Sequence, residues 1–115
     1  MSTRYPNTRL RRLRADRFSR DLVSENRLHV NDLIYPVFVT EGKQHREQVD
    51  SMPGVERLSI DELLKDAELL HKLGILSIAI FPVVESDKKS DQAEESFNSE
   101  GLAQRTIAKL KTALP

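Results

Sequence analysis

Two apolar runs, each followed by a segment of helical period, set the strongest constraint on this chain. Leu33-Ile34-Tyr35-Pro36-Val37-Phe38-Val39 and Ile78-Ala79-Ile80-Phe81-Pro82-Val83-Val84 are continuous, without alternation of apolar and polar positions. A continuous run marks a strand covered on both faces, as in the parallel sheets that helices wrap on both sides. A strand, a crossover helix and a second strand running the same way build such a sheet, and two strands alone do not complete it. The 115 residues hold two such units, spanning residues 33–73 and 77–114, with no third strand behind them. The chain therefore reads as the opening part of a larger α/β domain, or as one that takes its remaining sheet from elsewhere. Pro36 and Pro82 each remove a ladder donor, which places them at an edge or a bulge.

The helix after the first run carries the best local signal. Ser59 and Glu62 stand in the S-x-x-E spacing of a capping box, and Leu58 and Leu63 fit a hydrophobic staple. Leu63, Leu64, Ala67, Leu70 and Leu73 repeat at helical spacing, and Gly74 supplies a left-handed terminator, which predicts a helix over residues 60–73. Before it lie a polar loop, residues 40–50, and a Pro53-Gly54 turn. After the second run comes a charged stretch, residues 85–95. Asn98 then reads as the N-cap of a helix over residues 99–113, with Leu102, Ala103, Ile107, Leu110 and Leu114 on its apolar face. Phe18, Leu22 and Val23 share one face of a short helix over residues 18–24.

Charge is zero overall but segregated along the chain. Residues 1–30 hold eight Arg against three acidic residues, a net of +5, and residues 41–100 hold fourteen acidic against seven basic residues, a net of −7. Residues 1–17 have few apolar side chains and no usable period, and read as an extended arm that docks on something negative. The division is thus a basic arm with a short helix, residues 1–30, and an α/β body, residues 31–115. The chain has no Cys, which excludes disulfides and thiolate metal ligands within it. No apolar run approaches the roughly 20 residues of a membrane span, and the arginine-rich start lacks the apolar stretch of a secretory signal, so a cytoplasmic location and no membrane partner are expected.

Five stretches in register resemble one family. They are Asp32-Leu33-Ile34-Tyr35-Pro36-Val37-Phe38-Val39, Ser51-Met52-Pro53-Gly54-Val55 with Arg57, Leu73-Gly74-Ile75, Phe81-Pro82-Val83, and Asn98 with Gly101-Leu102-Ala103-Gln104-Arg105. Together with the arm from Thr8-Arg9-Leu10-Arg11-Arg12 to Phe18-Ser19-Arg20, they resemble the delta-aminolevulinic acid dehydratases, also called porphobilinogen synthases. The resemblance covers nearly the whole chain. It implies the α/β fold class, as an N-terminal arm plus the first two strand-helix units of a (β/α)8 TIM barrel. It implies condensation of two 5-aminolevulinate molecules, with loss of two waters, to porphobilinogen for haem biosynthesis. It implies arm-exchanged homodimers assembled into octamers, and magnesium or zinc as cofactor. Asp87-Lys88-Lys89-Ser90 and Gly101-Leu102-Ala103-Gln104-Arg105 look most like the magnesium-using bacterial branch.

The same resemblance puts the two Schiff-base lysines and the metal-binding segment beyond Pro115. No catalytic, cofactor-binding or metal-binding residue is therefore expected within this segment, and alone it is expected to be inactive. Lys43, Lys88 and Lys89 fall in loops on the active face of such a barrel, but acidic neighbours make them ordinary solvated lysines. His45 with Glu41 and Glu47 has no metal-site spacing, and His29 and His71 lie on separate elements. Arg9, Arg11, Arg12 and Arg14 carry the one functional expectation: rigid guanidinium forks pairing with carboxylates of an adjacent barrel and so controlling assembly. The alternatives are a disordered, solvated arm, a non-catalytic fragment that pairs with a complementary barrel chain, and nucleic-acid binding through the arginines. No stacking aromatics or recognised motif support nucleic acid.

Overall fold

The computed structural model describes residues 4–114; Met1–Thr3 of the expected arm and Pro115 of the expected body lie outside the described residues. Its order is α1 (Arg17–Leu22), β1 (Ile34–Val39), β2 (Arg46–Gln48), β3 (Glu56–Leu58), α2 (Ile60–Lys72), β4 (Ser77–Pro82) and α3 (Leu102–Ala113). The sheet order is β2-β3-β1-β4. β1 and β4, the two apolar runs, pair in parallel along their whole length, from Ile34 opposite Ser77 to Val39 opposite Pro82.

The prolines do not interrupt that ladder. The Val83 N–H donates to the Val39 carbonyl at 2.7 Å and the Thr40 N–H to the Leu58 carbonyl at 2.9 Å, so odd-numbered residues of β1 face β4 and even-numbered ones face β3. Pro36 therefore points its missing donor toward the β3 edge, where β3 reaches only Phe38 and Val39. By the same alternation, Pro82 points away from β1. Both prolines occupy positions where no ladder bond is forfeited.

The stretch expected as loop and turn between β1 and α2 contains a hairpin. β2 pairs antiparallel with β3, and β3 runs parallel to the end of β1. Strands of three residues are too short for alternation to be read from sequence. Their connection is held by the Met52 N–H to the Val49 carbonyl and the Val55 N–H to the Met52 carbonyl, with Gly54 at φ +81°, the positive value a type II turn requires after Pro53.

Val37 and Val39 of β1, Leu58, Leu63 of α2 and Leu102 of α3 form the buried core, with Ile60, Ile78, Ile80 and Leu110 packed against it. One face of the β1–β4 pair is thus covered by helices, while Ile34 and Phe81 on the other face are at least half exposed. Leu58 and Leu63 meet as the staple spacing predicts. α2 ends in a Schellman motif: the Gly74 N–H donates to His71, the Ile75 N–H to Leu70, and Gly74 lies at φ +83°.

Four local expectations are corrected. The Ser59–Glu62 capping box does not form, because the Ser59 hydroxyl donates to Asp61 at 2.6 Å and accepts the His45 N–H, while Glu62 turns to charged partners. α3 begins at Leu102 with Gly101 as N-cap; Asn98 builds the preceding turn by accepting the Glu100 N–H at 3.0 Å on its side chain. Ile107, assigned to the apolar face, is half exposed, and Thr106 is buried in its place with its hydroxyl bonded to the Leu102 carbonyl. The short arm helix spans Arg17–Leu22, not residues 18–24.

The radius of gyration is 22.3 Å and the extents are 72 × 35 × 27 Å. A compact chain of this length has a radius near 13 Å. The excess comes from the extended N-terminal segment, where Leu10, Phe18 and Leu22 are all more than 70% exposed.

Candidate functional site at the strand C-termini

In open and closed parallel α/β sheets, ligands gather at the carboxyl ends of the strands, where loops can differ without disturbing the core. Here that end is formed by residues 40–45 after β1 and residues 83–101 after β4. Glu41 from the first loop accepts a hydrogen bond from Arg105 of α3, joining two elements 64 residues apart in sequence. The Arg105 Nε donates to the Glu100 carbonyl at 2.9 Å, which fixes the guanidinium plane. Beside this pair lies a cavity of about 290 Å³ lined by Glu41, Val83, Val84, Lys88, Lys89 and Ala93 among others.

The candidate lysines stand apart from one another in role. Lys43 is exposed, Lys88 approaches Glu85 at 3.9 Å, and Lys89 lines the cavity. His45 comes within 3.8 Å of Glu47, but Glu47 is held by Arg57 at 2.9 Å and Glu41 by Arg105, so this trio does not converge. His29 lies before β1, with its backbone N–H on Asp32, and His71 sits at the end of α2. Among the described residues, no group of three or more His, Cys, Asp and Glu side chains is placed to hold a metal ion, and no helix is long and apolar enough to cross a membrane.

Sequence reasoning missed the strongest polar cluster. Arg46 of β2 bonds Glu62 at 2.8 Å, Asp66 at 2.6 Å and Glu56 at 2.9 Å, clamping the hairpin onto α2. Asp66 first, then Glu62 and Glu56, push the guanidinium further up from its ordinary range. Lys65 first, then Arg46, hold the Glu62 carboxyl below the usual range; the Ser59 hydroxyl, then the Gln44 N–H, do the same for Asp61. The available signal was the i, i+4 spacing of Glu62 and Asp66, which sets two carboxylates on one helix face.

In the arm, Arg9, Arg11, Arg12 and Arg14 are exposed. The Arg9 guanidinium lies 5.6 Å from the Tyr5 ring centroid. Arg11, Arg12 and Arg14 have no side-chain partner among the described residues.

Residues 7–115 match the family model for delta-aminolevulinic acid dehydratase. The chain belongs to that family. It is 39% identical over 107 residues to the delta-aminolevulinic acid dehydratase of Bradyrhizobium diazoefficiens, covering 93% of this chain and 30% of that protein. The Bacillus subtilis dehydratase is 39% identical over 107 residues, covering 93% and 32%. The crystal structure of the Toxoplasma gondii ME49 dehydratase, in complex with the reaction product porphobilinogen, superposes with a TM-score of 0.86 at 42% identity, covering 94% of this chain and 30% of that one. The chain spans about a third of the length of the curated dehydratases it matches. Its two βα units are accordingly an incomplete portion of the dehydratase barrel.

Proposed function

We propose that this chain is the N-terminal portion of a porphobilinogen synthase, a hydro-lyase that condenses two 5-aminolevulinate molecules to porphobilinogen with loss of two waters. The family match over residues 7–115, joined to the likeness to a product-bound dehydratase, carries this reading. The condensation needs amine nucleophiles of depressed basicity to form Schiff bases with keto acids. Those lysines belong to later barrel strands, and Lys43, Lys88 and Lys89 are not assigned the role. The segment alone is accordingly inactive.

Magnesium or zinc, the family's metals, would by the family resemblance be held by a segment that follows the third barrel strand; the carboxylates that do converge here, Glu56, Glu62 and Asp66, are taken by Arg46. No step is assigned to a metal on these residues. What this segment supplies is the first two strands, the loops at their carboxyl ends and the arm. Residues 1–30 act as a docking arm and residues 31–115 as barrel wall. Arg9, Arg11, Arg12 and Arg14 dock on carboxylates of a second copy and support a homo-octamer of arm-exchanged dimers in the cytoplasm. Arg11, Arg12 and Arg14 are exposed and have no side-chain partner among the described residues, which supports this role.

Expression of the complete protein and measurement of pyrrole formation from 5-aminolevulinate tests the reading. Porphobilinogen accumulation is the expected result. A folded complete protein that leaves 5-aminolevulinate unchanged, with either metal supplied, would contradict it.

A further inference from the structure

We infer that Glu41 and Arg105 are positioning residues: their ion pair holds the mouth of the complete enzyme's site in one shape, so that its loss weakens substrate binding more than turnover. The inference rests on the dehydratase reading above. Glu41 lies two residues past β1 and Arg105 in the first turn of α3, so the pair ties the first βα unit to the second on the carboxyl side of the sheet.

Both side chains are 39% exposed, and an exposed ion pair adds little to stability. Its weight therefore lies in geometry. Glu41 lines the 290 Å³ cavity at the end of β4 together with Lys88, Lys89 and Ala93. A Glu41 released from Arg105 would be free to turn to either lysine and close that space.

The backbone points the same way. Among the described residues, the non-glycine positions with positive φ are Gln44 at +48° and Ala93 at +52°, one in the loop that carries Glu41 and one in the loop that leads into the helix of Arg105. L-residues adopt this region only when their surroundings impose it, and such strain collects at functional sites. The Gln44 N–H is tied to Asp61 at 2.8 Å and the Ala93 N–H to the Ser90 carbonyl at 3.1 Å. Each loop thus holds one residue in a disfavoured conformation at the face where substrate enters a barrel, with Glu41–Arg105 linking the two units that carry them.

The test is steady-state kinetics on the complete enzyme, for wild type, Glu41→Gln, Arg105→Gln and the charge swap E41R/R105E. Each single change is expected to raise the KM for 5-aminolevulinate about tenfold with kcat within about twofold, and the swap to recover most of the KM. Melting temperatures should stay close to wild type. An unchanged KM in both single variants, a fall confined to kcat, a swap no better than the singles, or loss of the folded state would each overturn the inference. A wild-type enzyme without turnover would instead overturn the dehydratase reading, so the two failures are distinct.

Discussion

Phe38 and Phe81 stand opposite each other in the β1–β4 register, ring centroids 5.8 Å apart and planes tilted by 48°, on the sheet face opposite α2 and α3. Phe81 is half exposed in this segment. In a closed barrel that face is the packed interior. Phe81→Ala in the complete protein is therefore expected to cost about 3–5 kcal/mol, the value for a buried aromatic, measured by denaturant unfolding. A cost below about 1 kcal/mol would mean that Phe81 stays as exposed as it is here.

The hairpin depends on Arg46. Arg46→Met leaves Glu56, Glu62 and Asp66 facing one another, with Lys65 still bonded to Glu62 and Gln48 to Glu56. Amide exchange should then accelerate at Val49, whose N–H donates to Val55 inside the hairpin, while β4 amides keep their protection. Equal protection in both proteins would show that the backbone ladder alone holds β2.

Acid should act on the same cluster. Glu62 and Asp61 are both held below the ordinary carboxylate range when folded, so their contribution is fully present above about pH 4.3 and is lost as pH falls through the depressed folded values. Glu62→Gln should therefore lower the melting temperature at neutral pH and narrow its difference from wild type toward pH 3. A difference that grows as pH falls would have the opposite sign.

Gly74 closes α2 at φ +83°, and a Cβ there would lie 3.4 Å from Val30 Cγ1. Gly74→Ala should destabilise the complete protein by about 1–2 kcal/mol through the left-handed backbone alone. Thermal unfolding of the two proteins side by side measures it.

The proposed docking role of the arm is read from mass in solution. Removing residues 1–17 from the complete protein should shift it to smaller assemblies, and replacing Arg9, Arg11, Arg12 and Arg14 by Gln should do the same in part. An unchanged mass after both would remove the docking role.

Long, strongly patterned elements were legible in the sequence. β1, β4 and α2 lie within a residue or two of where their apolar periods put them, because burial on a helix-covered sheet leaves a continuous imprint. The hairpin left none: Arg46, Glu47 and Gln48 are exposed and owe their strand geometry to their partners Leu58, Arg57 and Glu56 further along the chain. The capping box failed for a related reason. Its spacing is local, but Arg46, sixteen residues earlier, offered Glu62 a charged partner stronger than a backbone N–H. The Glu41–Arg105 pair spans two βα units, and nothing in either local pattern announces it.

The sheet itself supplies the most direct test. Residues 1–115, purified alone, leave the Phe38–Phe81 face open and both outer edges short of partners. The expected result is a species that self-associates or binds apolar dyes, without a sharp thermal transition, and regains order when the remainder of the barrel is supplied. A compact monomer with a cooperative melt and a radius of gyration near 13 Å would contradict the account of these residues as a wall that needs the rest of its barrel.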